Sequence, residues 1–519
     1  MKNRRLLGVS AGLLCVFWSW GQLQPGAPWP SLGKDYKNTR QTTLGAPTNG
    51  SVRWRYQSIG LTMSSPVVSA DGTIYYGSTS GVVAVRPDGT LRWRYFNGIS
   101  TAWSAPAIGA DGTIYIIGNP QDAILLAINP NGTLRWSVYL GGTDVRTSPA
   151  IGPDGRIYVT NGAIPGGYLY AINPDGTVYW RCYLDIEANS IPCFGDDGTI
   201  YVGSAYYLNA ISPTGTIRWR YPVYYPVQGT VARSGNRLFF GAWDMVFRAI
   251  DTNGQLLWQR VTRGIFENGP AVDEANNIVY TASQGGELMK YGFSGILHWR
   301  ASIGTRNSHP AIGADGTIYL LGSNASQLFA INPSNGLVRW NAFVRGSMSE
   351  ICSPAIGEDG TVYYVNTSTT LFAFGPLRGY LMGSVDLEGW EGNYAGLPAV
   401  VQFYQDGELK YEMETTLDEE GRFTLENTPV GVHDIKVRVH RSLTRTVPAV
   451  HLEKDQRPQI RVVLGNGDLN GDSLVDDADL LMVLLTYGEY NLDYDLTGDG
   501  YVDDRELLIV LFHFGQTGE

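Results

Sequence analysis

From Ser51 to Phe374 the chain reads as short apolar runs cut by glycine turns. In Ser65–Tyr95 a Ser-Pro start leads to an apolar run at Val67–Ser69 and the turn Asp71-Gly72. Further runs follow at Ile74–Gly77 and Val82–Val85, then the turn Asp88-Gly89, then Leu91–Tyr95, which carries Trp93. Each run predicts a β-strand. Asp-Gly between two runs predicts a hairpin, because glycine reaches positive φ without steric cost. The unit therefore has four strands, a to d in chain order, with the tryptophan on strand d.

The unit recurs. Its tryptophan falls at Trp54, Trp93, Trp136, Trp180, Trp219, Trp258, Trp299 and Trp340, at intervals of 39 to 44 residues. Its start recurs at Pro66, Pro106, Pro149, Pro192, Pro270, Pro310 and Pro354, and once without proline at Gly229–Ala232. Four-stranded units of about 40 residues predict a β-propeller, because one unit cannot bury both faces of its sheet and a ring of them can. The last start, Ser353–Phe374, supplies strands a to c and no Trp strand; Ser51–Tyr56 is a Trp strand without a unit. Together they predict an eight-bladed β-propeller over residues 45–376, closed by the N-terminal strand, in a mainly β chain.

The segment Ala127-Ile-Asn-Pro-Asn-Gly-Thr-Leu-Arg-Trp136 resembles the pyrroloquinoline-quinone-like propeller repeat, with its Ala-Ile-x-Pro-x-Gly turn and Gly-Thr-Leu/Ile-x-Trp strand. The resemblance covers all eight units and is weakest at Gly229–Trp258 and Gly269–Trp299. It implies that the tryptophans dock between neighbouring blades rather than stack on a ligand.

Strand order separates two faces. The a–b and c–d connections are short glycine turns on one face; the b–c and d–a connections share the other. The second set varies in length and carries Trp103, Arg146, Tyr224, Tyr225, Trp243, Phe266, Arg306 and Glu350. Variable loops on a rigid scaffold are where binding usually sits, so these residues form the candidate partner face.

Ahead of the ring, residues 1–21 read as a secretory signal peptide: Lys2, Arg4 and Arg5, then the apolar run Leu6–Trp18, then Ser19-Trp20-Gly21 before a cleavage point. A Gly-x-Ser-x-Gly match at Gly8–Gly12 lies inside this segment and carries no catalytic meaning. No later run is long and apolar enough to span a bilayer, so the mature chain is expected outside the cytoplasm. Residues 22–44, with Pro28-Trp29-Pro30 and Asp35–Arg40, resemble the lead-in segment of secreted propellers of this family. Of the cysteines, Cys15 is in the leader; Cys182 and Cys193 end one unit and begin the next, which leaves a disulfide open, and Cys352 reads as a small buried apolar residue.

After Gly375-Pro376 the texture changes. Residues 378–464 alternate apolar and polar at Ala399–Phe403, Arg422–Leu425, Ile435–Val439 and Ile460–Leu464, with turns at Asp406-Gly407, Glu420-Gly421 and Pro429–Gly431. This predicts a small antiparallel β-sandwich. Asp418–Leu425 followed by Pro429-Val-Gly431 resembles the carboxypeptidase-regulatory-like sandwich, a spacer or stabiliser. His433, His440 and His451 lack compact metal-ligand spacing and read as surface residues.

Residues 465–519 carry the sharpest chemistry. One 12-residue loop places Asp468, Asn470, Asp472, Leu474, Asp476 and Asp479 at positions 1, 3, 5, 7, 9 and 12; a second, 27 residues on, places Asp495, Thr497, Asp499, Tyr501, Asp503 and Glu506 there. Side-chain oxygens at five positions and a backbone carbonyl at position 7 (Leu474, Tyr501) give a hard Ca²⁺ ion the six or more oxygens it wants. Each loop runs into an apolar helical stretch, Leu480–Leu485 and Leu507–Phe512. The charge is local: 13 Asp and Glu against one Arg give −12 here, the first 21 residues carry +3, and the whole chain is −11, which leaves −2 for residues 22–464. That favours a cation site and gives no sign of nucleic-acid binding.

The duplicated loop-helix resembles a type I dockerin, which implies two Ca²⁺ ions and a cohesin-like partner. Position 6 of the first loop is Ser473 rather than glycine, so the second site is expected to bind better. Positions 10 and 11, where the family often carries Ser-Thr, are Asp477-Ala478 and Asp504-Arg505, and the helix faces are offered as well to an intramolecular partner, the preceding sandwich.

Six scattered histidines assemble no Ser/His/Asp order, and there is no His-Glu-x-x-His. A quinoprotein dehydrogenase would carry adjacent cysteines or a Cys-x-x-Cys-His haem motif, and neither is present, so no quinone is expected. The chain reads as a secreted, non-enzymatic binding or scaffolding protein with a protein or glycan partner. The alternative is a role in polysaccharide binding or degradation, and the less favoured one is quinone-dependent oxidation.

Overall fold

The computed structural model describes residues 23–43, 50–118, 123–142, 145–305, 308–322, 327–344, 352–375, 378–405, 407–429, 431–439, 441–453, 456–491 and 493–518. The expected leader at residues 1–21, with Cys15, lies outside them, as do Arg306, Glu350 and His440. The chain divides into two compact units, Met1–Gly375 and Pro376–Glu519. No helix of the described residues is long and apolar enough to cross a membrane.

In the first unit four-stranded antiparallel sheets follow one another, eight in all among the described residues. One runs Ala107–Ile108, Ile114–Gly118, Ile124–Ile128, Leu134–Tyr139. Two neighbouring sheets are joined by the single bridge Thr305↔Gly322. The inner three strands are buried on both faces, which is why they read as continuous apolar runs; the outer strand alternates. Val52–Gln57 pairs antiparallel with Thr370–Phe374 and supplies the outer strand of the last sheet.

The tryptophans make the joints. Trp93 Nε1 donates to the Pro130 carbonyl of the next sheet at 2.9 Å, and the same bond recurs from Trp54 to Pro87, Trp136 to Pro174, Trp180 to Pro213 and Trp299 to Pro333. Each indole lies on a turn glycine of that next sheet. A Cβ on Gly132 (φ +89°) would come within 2.7 Å of the Trp93 ring. Trp340 meets Gly50 in the same way, so the N-terminal strand receives the last tryptophan of the ring. Beneath each indole is an aromatic ring of strand b, as with Tyr115 and Trp136 at 5.7 Å. These contacts support the interblade reading of the tryptophans.

Residues 23–43 enter the axis instead of merely leading to it. Strand a has one edge facing its neighbour and one facing the axis, and buried amides on that edge need acceptors. The N-terminal segment provides them: Ile108 N donates to Pro30 O, Phe194 N to Tyr36 O, Arg233 N to Lys37 O, Val272 N to Thr39 O and Ile312 N to Arg40 O. Val68 N likewise donates to Trp29 O at 2.8 Å, so six sheets are tied to one strap. Trp29 and Arg40 are fully buried, and Asn38 Nδ2 donates to Pro192 O and Val231 O. Gln24 bonds Ile108 O and the Ala70 amide, beside the a–b turns, so the strap fills the glycine-turn end of the axis.

Cys182, Cys193 and Cys352 are buried free thiols, so the disulfide left open between the first two is not formed. Cys352 packs as expected, its Sγ 3.4 Å from the Ser64 carbonyl.

The second unit opens with two sheets around one apolar cluster that includes Leu381, Val401, Phe403, Phe423, Ile435 and Val462. One sheet orders Arg422–Pro429, Arg378–Leu387, Gln459–Leu464; the other orders Glu408–Thr416, Pro398–Gln405, Gly431–Val439, Arg445–Leu452. The expectation of purely antiparallel pairing needs correction, because Gln459–Leu464 lies parallel to Arg378–Leu387. His433 is not a surface residue either: it is 3 % exposed, edge-on to Phe403.

Two helices follow, Asp477–Thr486 and Asp504–His513, each begun by a capping box, Asp476 with Asp479 and Asp503 with Glu506. They share a core of Leu469, Val475, Val483, Leu496, Val502 and Val510, to which Leu443 is added from the preceding strands. Further bonds join the parts of this unit: Glu391 N to Thr497 O at 2.7 Å, Arg441 Nη1 to Leu469 O at 2.7 Å, and His513 Nε2 with Glu388 Oε2 at 2.7 Å.

Candidate functional site

The position three residues before each strand-a start points the chain at the axis. Met63, Trp103, Arg146, Asn189, Gln228 and Glu267 occupy it in six successive sheets and line one depression on the d–a face, floored by Leu32 of the strap. Its volume is about 30 Å³, room for one or two waters. This mouth therefore suits surface recognition better than engulfing a small molecule. The Arg146 guanidinium stands 5.2 Å over the Trp103 ring, a cation–π pair. The Arg146 amide is held by Asn189 Oδ1 at 3.2 Å.

Tyr224 and Tyr225 project from the same face, 89 % and 54 % exposed. Trp243 belongs to a neighbouring loop, tied in by its amide to Pro226 O at 3.1 Å, and its indole Nε1 is buried without a hydrogen-bond partner. Five of the eight partner-face residues thus belong to the mouth and the loops around it. Phe266 does not. It is 1 % exposed and packs on Phe247 at 5.8 Å, in space left by Gly241. Its loop position is on the expected face, but its ring completes the core of a sheet whose repeat is degenerate. Sequence reasoning missed Met63, Asn189, Gln228 and Glu267, which the spacing to the strand-a start would have found.

A larger opening of about 630 Å³ lies in the second unit, lined by Met382, Phe423 and Ile460 at sheet edges. Its charged residues Arg422 and Asp418 are paired with each other at 3.0 Å.

The acidic loops fold on their own amides. Asp468 accepts from Gly471 N at 2.8 Å and Ser473 N at 3.1 Å; Asp479 accepts from Leu469, Asn470 and Asp476 amides. Asp495 accepts from Thr497, Gly498 and Gly500 amides. Burial pushes the Asp468 carboxyl above its ordinary range, against the lowering effect of those amides. Glu506 is fully buried; its Oε2 accepts from Asp503 N at 2.7 Å, and its Oε1 has no partner. Arg505 reaches back to Asp499. Among the described residues no three His, Cys, Asp or Glu side chains converge as a metal cage. Ser473, at φ +69°, sits in the left-handed region that the glycine of the second loop, Gly500 at φ +94°, adopts freely.

No curated protein sequence matches the chain. Among solved structures, the crystal structure of BamB from Moraxella catarrhalis superposes with a TM-score of 0.51 over 63 % of this chain and 97 % of its own, at 15 % identity; at that identity the likeness is one of fold. A family profile described as outer membrane protein assembly factor BamB matches residues 121–238, 165–265 and 245–393. These matches together cover more than half of the chain, and the protein belongs to that family, as a β-propeller of pyrroloquinoline-quinone-like repeats.

Proposed function

We propose that the chain is an exported, non-enzymatic binding or scaffolding protein whose eight-bladed propeller recognises a partner through the d–a mouth. The observation that carries this reading is the asymmetry of the axis: the strap fills the glycine-turn end, and one side chain from each of six sheets lines the other. A shallow rim with an exposed aromatic cluster and a cation–π pair fits a protein surface, where aromatic and Arg anchors dominate binding energy. The assembly role in the family's printed description agrees with protein binding. An N-terminal signal peptide would deliver the chain outside the cytoplasm. The alternative glycan reading is favoured by Tyr224, Tyr225, Trp103 and Trp243 as stacking platforms; a quinone finds no adjacent cysteine pair.

The second unit would be a carboxypeptidase-regulatory-like sandwich carrying a dockerin-like module for attachment or for stabilising the C-terminus. The donor set fits calcium. Asp495, Thr497, Asp499, Asp503 and Glu506 with the Tyr501 carbonyl would hold one ion, and Asp468, Asn470, Asp472, Asp476 and Asp479 with the Leu474 carbonyl another. The unpartnered Glu506 Oε1 supports the second loop in particular. A bound Ca²⁺ would neutralise the carboxylates and pin each loop to its helix. An external cohesin-like partner is supported by duplicated exposed apolar faces: Leu481, Leu484 and Leu485 on one helix, Leu508, Leu511 and Phe512 on the other.

The test is a binding panel of secreted and surface fractions and insoluble polysaccharides, with Ca²⁺ or chelator. Capture lost in Trp103→Ala/Arg146→Ala but kept in Leu485→Glu/Phe512→Glu supports the mouth. The reverse result moves recognition to the C-terminal helices, and loss in neither variant removes both faces from consideration.

A further inference from the structure

Beneath the mouth lies a buried cation with no contacting carboxylate among the described residues. Arg40, on the strap, is 1 % exposed. Its Nη1 donates to Pro270 O at 2.9 Å; its Nε and Nη2 have no hydrogen-bond partner among the described residues. Buried arginines are normally paired, because an isolated charge costs several kcal/mol or more to desolvate. Burial lowers the Arg40 pKa to about 9, with the charge of Asp35 acting in the opposite sense, so the side chain remains a cation at neutral pH. Asp35 directs its oxygens elsewhere, to the amides of Lys37 and Thr39 and to the Thr39 hydroxyl.

The surroundings supply further donors. Thr230 is 2 % exposed, and its hydroxyl also lacks a partner. The Thr230 hydroxyl and Arg40 Nη1 converge beside Gly269, where a Cβ would come within 1.6 Å of the one and 2.9 Å of the other. His309 Nδ1 accepts from Gly269 N at 2.7 Å, which puts the ring proton of the neutral imidazole on Nε2. Thr230 and His309 both line the mouth, so this layer opens toward solvent through it.

We infer that the axis holds a small monovalent anion of chloride size, bound by the free N–H groups of Arg40 and the Thr230 hydroxyl and admitted through the mouth. The geometry limits the ligand. The depression that would admit it, lined by Thr230 and His309, has room for one halide or one or two waters and none for a larger anion. The anion would serve as the missing counter-charge of Arg40 and bond the strap to the ring.

The test uses the full mature chain. Crystals grown with bromide in place of chloride are expected to show an anomalous peak against Arg40 and Thr230. In solution, at constant ionic strength, chloride or bromide should raise Tm by about 2 °C over gluconate, and Thr230→Val, which keeps the side-chain volume, should remove most of that difference. Arg40→Gln should abolish it if the variant folds, and Thr230→Val decides the matter if it does not. Water density without an anomalous peak, or a wild-type Tm indifferent to the halide, would overturn the proposal.

Discussion

The two ends of the propeller axis are built from the same repeats and end up chemically opposite. At the glycine-turn end, the inner edges of successive strands a are saturated by residues 23–43, with Trp29 packed inside. At the other end, six of the strands a are each preceded by a different side chain, and the set is neither apolar nor of one charge: Met63, Trp103, Arg146, Asn189, Gln228, Glu267. A symmetric scaffold thus gains a direction from one short segment that is not part of the repeat. We propose recognition at the open end because the other has its polar backbone already satisfied.

Removing the strap should have the largest effect. A chain beginning at residue 44 would leave inner-edge amides of six sheets without acceptors and an empty axis; we expect it not to fold cooperatively, as read by calorimetry. Trp29→Ala alone should cost about 3–5 kcal/mol. Cooperative unfolding with unchanged Tm would show that the ring does not need the segment. Next is the joint between sheets. Gly132→Ala forces a Cβ onto the Trp93 ring at positive φ, and should cost about 3 kcal/mol in urea unfolding. At the mouth, by contrast, Trp103→Ala and Arg146→Ala should each change stability by less than about 1 kcal/mol and weaken partner binding by about tenfold or more. A large stability loss with intact binding would make the mouth structural.

The C-terminal loops offer a smaller contrast. Ser473→Gly relieves a left-handed residue and should stabilise the second unit by about 1 kcal/mol. If the loops take Ca²⁺, the same change should narrow the affinity difference between the two sites in calorimetric titration. The smallest effect belongs to the Asp–Arg pairs that brace the a–b turns. For Asp197, burial alone would raise the pKa, but bonds from Thr199 and Arg218 outweigh it and hold it at about 2; Asp111 and Asp315 are lowered with the same balance. A carboxylate whose folded pKa lies below its unfolded value stabilises above the unfolded value, near pH 4, and that contribution fades as pH falls toward 2. The pairs are largely exposed, so Arg218→Met should flatten the acid limb of the Tm–pH curve only slightly.

Much of the ring was legible because its physics is periodic. The tryptophans and the strand-a starts each recur eight times and the turn glycines seven times at each of the two turns, and a Trp strand without a unit, Ser51–Tyr56, stands where the last unit lacks one. The strap was not legible. It works through backbone hydrogen bonds to strand edges, which impose no side-chain pattern, and Arg40 looks in sequence like any surface arginine. Phe266 misled for the opposite reason: its place in a loop indicated exposure, while Gly241 had made room for its ring in the core. The parallel pairing of Gln459–Leu464 was hidden because alternation reports which face a residue takes and not the direction of its neighbour. The helices were legible as the apolar stretches Leu480–Leu485 and Leu507–Phe512, but they begin three residues earlier, at Asp477 and Asp504, where Asp at the cap and Asp or Glu three residues later form a capping box.

The most direct test of a one-sided propeller is site-specific photo-crosslinking of the chain against envelope and secreted fractions. A photoreactive residue would replace Trp103 at the mouth in one protein and Asp88, exposed on the glycine-turn face, in the other. The account predicts discrete adducts from position 103, suppressed by excess unlabelled protein, and none from position 88. Adducts from position 88 alone would contradict it and place recognition at the end of the axis that the strap fills.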